Sequence, residues 1–408
     1  MIKPFLLFRG PVETISGYGA HARDILKSLY DINIFDIKID SSMWGHTPKT
    51  ALDDNNLFHR WIKDNIITQL NIKPDFYVQV TVGNEFQPLG KYNIGITAGV
   101  ETNILPKDWL QPCNSMNKII VPSVFSKEIF LSSQYKNIDV LFEGVDTSVY
   151  KKLSINELPN NKIKNTLDST LEDFLFLFCG HWVNGDLGED RKDVGMLIRT
   201  FSETFKGSAN KPGLVLKTSA ATFSVKERER LKKNIEKIVS DIENPPSIYF
   251  LFGELSDVEM NILYNHPKIK TFVTFTKGEG FGRPMLEFTM SGKPVIASKW
   301  SGHLDFLTND ESILLDGNLK QIHKSASNQF LTEGSDWFQV DYVNASKKMI
   351  DVYENYNKYL HKSEELRIRN MEMFSLDKMT EKLKSIMLSA LGEQAQVDNG
   401  LPKLIRAI

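Results

Sequence analysis

The sequence predicts an α/β protein built from two Rossmann-like, doubly wound parallel sheets. Three observations lead there. Short apolar runs alternate with amphipathic stretches for most of the chain, the pattern of strands feeding helices around a parallel sheet. The 408 residues favour two domains, at roughly 100–200 residues each. Near the middle, a polar stretch over residues 151–168, with Leu158-Pro159-Asn160-Asn161, separates two such series and reads as a linker.

The first series opens with a strand over 5–8, a loop over 9–19 that holds Gly17 and Gly19, and a helix over 20–30. Further strands are expected at 34–37, 76–80, 92–96, 118–121 and 140–142, enough for one sheet. The second series begins at 174–178, Phe-Leu-Phe-Leu-Phe, apolar at every position as in a strand covered on both faces. It continues at 213–217, 247–252, 271–275 and 294–298, with helices over 194–205 and 225–242. Charged, helical sequence fills 341–360 and 376–391 with no clear strand between. The expected domains are therefore 1–165, 166–375, and a last helix within 376–408 that packs back on the first domain. Two such halves leave a cleft. Ligands of open parallel sheets bind beyond the carboxyl ends of the strands, so the facing edges are the expected site.

Composition removes several classes of function. With 49 Lys+Arg against 51 Asp+Glu, no global field points to nucleic acid or to an acidic membrane. Only Cys113 and Cys179 occur, too few for a disulfide framework or a cysteine zinc site, and they point to a reducing, cytoplasmic compartment. The apolar N-terminal run meets Arg9 too early for a signal peptide, and no run approaches about 18 apolar residues, so no membrane insertion is expected. No Asp-x-Asp pair of the kind that holds a divalent ion on a sugar nucleotide is found, and the eight histidines lack ligand spacing, so metal-independent chemistry is expected.

Residues 271–298, TFVTFTKGEGFGRPMLEFTMSGKPVIAS, carry most of the chemical information. They read as strand, loop, helix, strand. Gly278, Gly280 and Gly282 permit a tight turn against a ligand, Pro284 suits the first turn of a helix, and Gly292 and Pro294 end it. A helix start offers backbone N–H groups to an anion such as a diphosphate. Glu279 and Glu287 flank that start, and carboxylates would repel an anion. They accept hydrogen bonds well from sugar hydroxyls, so the combination points to a sugar nucleotide.

With its Glu, seven residues, Glu spacing from Glu279 to Glu287, this stretch resembles the retaining glycosyltransferases of family 4 (glycosyl transferases group 1), whose two-domain fold is called GT-B. The resemblance extends along most of the chain. Arg191-Lys192 and the following helix look like the family's Arg-Lys-Gly segment, and Phe252-Gly-Glu-Leu-Ser256 like its turn beside the base. Gly144-Val-Asp146, Ser16-Gly-Tyr-Gly19 and Phe374-Ser375 match the close of its first domain, its N-terminal glycine loop and the lead-in to its last helix.

Carried across residue by residue, the resemblance implies that Glu287 binds the nucleotide ribose and Glu279 the hydroxyls of the transferred sugar. The backbone of Gly280, Phe281 and Gly282 would lie against sugar and diphosphate, Lys192 would neutralise the diphosphate, and Leu255 would lie beside the base. On the acceptor side, the stretch from Gly95 to Trp109 makes Glu101 a candidate near the reacting centre, with Gly17 and Gly19 facing the same cleft. The implied reaction is metal-independent transfer of a hexosyl or pentosyl group from a UDP- or GDP-sugar, a co-substrate rather than a bound cofactor. The implied acceptor is a glycan, a lipid-linked glycan or a hydroxymethylated pyrimidine base of viral DNA. Two rivals are a glycoside hydrolase using Glu279 and Glu287, and a non-catalytic sugar-nucleotide-binding protein.

Two positions depart from the family. His181 stands where an arginine is usual, and Asp193 follows Lys192 where glycine is usual. Either Arg191 or Arg283 supplies the second cation for the diphosphate, or His181 does so when protonated, in which case activity should fall between pH 6 and 8.

Overall fold

The computed structural model describes residues 3–182, 185–220 and 223–398. Strand β1 (Phe5–Gly10) buries Leu6, Leu7 and Phe8 in succession, as a strand of a parallel sheet covered on both faces does. Helix α1 (Gly17–Ile32) follows, capped by Ser16, whose hydroxyl accepts the amide of Gly19 at 2.9 Å. The chain continues through β2 (Asp36–Ser41), α2 (Leu57–Asn65), β3 (Phe76–Val80), β4 (Tyr92–Ile96), α3 (Leu110–Asn114), β5 (Lys118–Val121), α4 (Val124–Ser132) and β6 (Ile138–Val140). These six strands form one parallel sheet in the order β2-β1-β3-β4-β5-β6.

After α5 (Lys162–Asp168), a second series runs through β7 (Leu175–His181), α6 (Val194–Phe205), β8 (Gly213–Ser219), α7 (Val225–Val239), β9 (Ile248–Leu251), α8 (Asp257–Asn265), β10 (Ile269–Val273), α9 (Arg283–Thr289), β11 (Val295–Ser298) and β12 (Ile313–Leu315). Its parallel sheet has the order β12-β11-β10-β7-β8-β9. An antiparallel hairpin of β13 (Gly317–Gln321) and β14 (Asp336–Val340) comes next, then α10 (Tyr342–Glu354), α11 (Tyr356–Met373) and α12 (Leu376–Asp398).

The chain divides into two compact units. Among the described residues, the first holds 3–99, Lys107–Gly144 and 376–398; the second holds Val100–Pro106 and those within Val145–Ser375. In the first, Met379, Leu383, Ile386, Met387 and Ala390 of α12 are buried in the same core as Ala22, Ile25, Leu26 and Leu29 of α1. Their spacing of three and four residues is that of a helix with one apolar face. The second core gathers Phe176, Phe178, Phe201, Phe205, Leu214, Val273 and Ile296.

Several elements depart from the sequence expectation. The division falls at Gly144 rather than near residue 165. Residues 151–168 are no free linker: the amides of Lys151 and Leu153 donate to the side chains of Asn261 and Asn265 at 3.2 and 2.8 Å, and α5 closes the segment. Entry to and exit from the second unit lie side by side, with the Val145 amide donating to the Phe374 carbonyl at 2.8 Å. Strand β1 runs on through Arg9 and Gly10, and α1 starts three residues before residue 20 because Ser16 caps it there, so Gly17 and Gly19 belong to its first turn rather than to a loop. Strands β2 and β6 are displaced by about two residues from 34–37 and 140–142, the usual scale for element boundaries. Hairpin β13–β14 was not expected, since Gly-Asn-Leu-Lys-Gln is polar and mostly exposed. Residues 399–408, included with the expected last helix, lie outside the described residues.

Candidate active site

In an open parallel sheet the strand order reverses at one point, and the loops leaving the two strands there diverge to leave room for a ligand. In the second sheet that point lies between β7 and β10. The loop after β7 carries Arg191 and Lys192 up to the start of α6, and the loop after β10 carries Thr276 to Gly282 up to the start of α9. Residues 87 and 88 positions apart in the chain are thereby brought into contact.

The Glu279 carboxylate is the centre of the cluster. It pairs with the Lys192 ammonium, lies 3.4 Å from the Arg191 guanidinium and accepts the Thr276 hydroxyl at 2.7 Å. Its own amide donates to Ser301 Oγ at 2.9 Å. Arg191 reaches further, to Glu101 at 2.9 Å through Nε and to the Gly278 carbonyl at 2.8 Å. Two cations and two carboxylates thus meet, with Glu279, Lys192 and Arg191 largely buried and Glu101 half-buried at their edge. Burial would raise the Glu279 carboxyl, but Lys192 and Arg191 outweigh it and hold it down at about 2. Burial raises the Glu101 carboxyl, with Arg191 opposing and Glu279 adding to it. The Lys192 ammonium is lowered, by burial first and by Arg191 alongside, with Glu279 pulling the other way.

The turn is built for close packing. A Cβ on Gly278 would stand 2.0 Å from the Glu101 carbonyl oxygen, so glycine is what lets Glu101 approach. Gly282 caps α9 with φ 103°, the left-handed region that favours glycine. Gly280 and Phe281 are buried in the same turn, and the Phe281 ring packs on Phe306 and Phe374 with centroids 5.0 and 6.3 Å away.

Of the residues singled out in the sequence, Glu101, Arg191, Lys192 and Glu279 form this one network. His181, at the end of β7, stands near it, its Nδ1 3.2 Å from Ser219 Oγ. Burial lowers the His181 imidazole, and the charges of Lys192 and Arg191 lower it further. Both effects favour the neutral imidazole, which runs against a protonated His181 as the second cation. Glu287 lies apart from the network on α9, paired with Arg283 at 2.7 Å, so Arg283 is engaged there and Arg191 is the cation beside Lys192. Helix α9 has only seven residues, which makes its dipole a minor source of positive potential beside two full cations. Leu255, half-buried, stands apart in the turn between β9 and α8, where Lys217 Nζ donates to the Gly253 carbonyl at 2.7 Å. Gly17 and Gly19 belong to the first unit.

Sequence reasoning missed Thr276 and Ser301. Thr276 sits three residues before Glu279 in the glycine segment, a signal that was available. Ser301 follows β11, and only the position of β11 beside β10 brings it to the Glu279 amide. Among the described residues no group of three or more His, Cys, Asp or Glu side chains is arranged to hold a metal ion, and no helix is long and apolar enough to cross a membrane.

No family model and no curated protein matches the chain. Solved structures do match. A glycosyltransferase from Rickettsia africae ESF-5 is similar over 95% of this chain and 99% of its own, with 15% identity and a TM-score of 0.65. Anabaena Alr3699/HepE in complex with UDP-glucose is similar over 95% of this chain and 100% of its own, with 14% identity and a TM-score of 0.64. Sucrose-phosphate synthase from Thermosynechococcus elongatus follows with 12% identity, a TM-score of 0.64, and 96% and 100% coverage. The likeness is one of fold. Two six-stranded parallel sheets with flanking helices make this chain a two-domain α/β protein of the GT-B type.

Proposed function

We propose that the protein is a retaining glycosyltransferase that moves a sugar from a nucleotide-sugar donor to an acceptor hydroxyl in glycan or polysaccharide biosynthesis. The observation that carries this reading is the convergence of Arg191 and Lys192 on Glu279 at the reversal point of the second sheet. Adjacent cations suit the charge of a diphosphate, and a carboxylate beside them can accept from the hydroxyls of a hexose or pentose. Without donor, the cations are neutralised by Glu279 and Glu101. With donor, the diphosphate takes over the cations and Glu279 turns to the sugar hydroxyls. The similarity of fold to HepE, a protein described in complex with UDP-glucose, supports a UDP-sugar as donor, with a GDP-sugar the nearest alternative.

In this reading Glu287 binds the ribose, Leu255 lies beside the base, and the backbone of Gly280, Phe281 and Gly282 borders the sugar and diphosphate. The bond from C1 to the diphosphate oxygen breaks while the acceptor oxygen bonds C1 on the same face. The departing phosphate oxygen takes the acceptor proton. Arg191 and Lys192 stabilise the charge that grows on that leaving group, which is where a preorganised cation lowers a barrier most, and no metal is required for it. Glu101 stands beside the pair as a candidate at the reacting centre. A glycoside hydrolase using Glu279 and Glu287 is disfavoured because it needs one of the two as a carboxylic acid with a raised pKa, whereas Glu279 is held down at about 2 and Glu287 is paired with Arg283.

A thermal-shift panel of UDP-, GDP- and ADP-sugars tests the reading. One donor at 100 times its dissociation constant should add about 2.7 kcal/mol of stability. The same donor incubated with candidate acceptors should give product with unchanged anomeric configuration by NMR. No shift across the panel would defeat the donor site, and inverted product would defeat retention.

A further inference from the structure

Asp193 follows the Arg191–Lys192 pair where a glycine is usual, and the fold gives it a distinct place. Its backbone is left-handed, φ 52° and ψ 36°, at the head of α6, a conformation that Asp and Asn tolerate better than most side chains. Its carboxylate has no exposure. The Tyr342 hydroxyl donates to Oδ2 at 2.7 Å, and the Lys277 ammonium stands 3.9 Å from Oδ1. The Gln339 amide in turn donates to the Tyr342 oxygen at 2.9 Å. Lys277 is equally buried; it donates to the Gly188 carbonyl and lies 4.8 Å from the centre of the Trp337 ring.

Lys277 also joins three segments through its main chain. Its amide donates to the Arg191 carbonyl at 2.8 Å, its carbonyl accepts the Phe338 amide of β14 at 2.9 Å, and it sits two residues before Glu279. Across residues 190–193 the side chains divide. Asp190 and Asp193 are buried, with Asp190 accepting the Val194 amide at 3.3 Å, while Arg191 and Lys192 go to Glu279. A buried ion pair is a poor source of stability because desolvation cancels most of its attraction, so a role in fixing geometry is the better account of it.

We propose that Asp193, Lys277 and Tyr342 are positioning residues: their buried carboxylate, ammonium and phenol lock the turn 190–193 so that Arg191 and Lys192 point together at the diphosphate position. The inference rests on the donor-site reading above. Burial brings Asp193 up to about 7 and Asp190 to about 6, with Lys277 opposing in both cases and Tyr342 also opposing at Asp193. The nearby Glu189, paired with Lys320 at 3.0 Å, adds to the rise at Asp193. The neutral acid is thus accessible near neutrality, and Asp193→Asn is a close imitation of it.

Calorimetric titration of the full chain with inorganic pyrophosphate tests this, with Lys192→Met marking binding at the site. Tyr342→Phe and Asp193→Ala should each weaken pyrophosphate about tenfold, the scale expected when a binding group is misdirected. Asp193→Asn, which keeps an acceptor for Tyr342 and tolerates the left-handed backbone, should recover affinity to within about threefold of the wild type. Unfolding midpoints measured alongside separate the roles. If Tyr342→Phe lowers the midpoint and leaves affinity intact, the cluster is a stability device and the positioning role is overturned while the donor site stands. If the wild-type chain does not bind pyrophosphate, or binds it equally with Lys192→Met, the donor-site reading falls and this inference with it.

Discussion

The first sheet reverses its strand order between β1 and β3, the second between β7 and β10. Beyond β1 the chain presents hydroxyls bonded to one another and to the backbone. Thr14 Oγ1 and Ser16 Oγ are 2.9 Å apart, and the Tyr18 hydroxyl lies 3.0 Å from Thr97 Oγ1 and 3.1 Å from the Ala98 amide. The charges nearby are tied down: Glu13 to Ser41 and Lys49, Arg23 to the carbonyls of Val12 and Thr14. Beyond β7 and β10 four charges meet instead. The same topological device therefore supplies a place in each unit, and the residues on the following loops decide what chemistry it holds. One end is lined by hydroxyls; the other gathers two cations and two carboxylates.

Replacing the charges should separate the two ends most sharply. Lys192→Ala should reduce kcat/KM for the donor about 10³-fold, as loss of a preorganised group at a developing charge does. Tyr18→Phe should change it about threefold at most, since it removes one neutral hydroxyl. Steady-state kinetics with the donor found in the thermal panel checks both, and equal losses would erase the distinction. Glu279→Gln should cost about 10²-fold in kcat and also alter stability against pH. The wild-type carboxyl is held near 2, below its ordinary value of 4.5, so its contribution to stability is complete above about pH 4.5 and disappears as pH falls toward 2. Urea midpoints between pH 2.5 and 7 should fall less steeply on the acid side in the variant.

Next come effects on folding at the first sheet. A Cβ on Gly19 would lie 2.2 Å from the Thr14 carbonyl oxygen, so Gly19→Ala should destabilise the chain by about 1–3 kcal/mol in denaturant titration and leave donor affinity unchanged. Ser16→Ala removes the cap on the Gly19 amide and should cost about 1 kcal/mol by the same measurement. The smallest effect belongs to His181. With its imidazole lowered by burial and by two cations, His181→Gln is expected to leave the slope of donor affinity against pH nearly unchanged from 6 to 8, and a flattened slope in the variant would assign a titration in that range to the histidine.

Much of this was legible in the chain because it is local. The apolar run of β7, the Gly-Glu-Gly-Phe-Gly-Arg-Pro turn and the helix after it depend on residues within a few positions of one another. The early start of α1 was local too, yet the glycines around Ser16 read as loop and hid its capping role. Hairpin β13–β14 stayed hidden because the exposed, polar β13 carries no apolar alternation to pair with β14, and the place of residues 151–168 because their partners, Asn261 and Asn265, lie over a hundred positions away.

From its sequence alone, then, the chain is an α/β protein with two parallel-sheet series and a glycine turn flanked by two glutamates. Which charges meet was decided by tertiary structure: β10 lies beside β7, so Glu279 reaches Arg191 and Lys192, and the segment holding Glu101 joins the second unit. The interior position of the Asp193 carboxylate was settled in the same way, by Lys277 and Tyr342 arriving from other loops. Strand order is a property of the packed sheet, set by how the two faces are covered, and periodicity along a single segment carries no record of its neighbours.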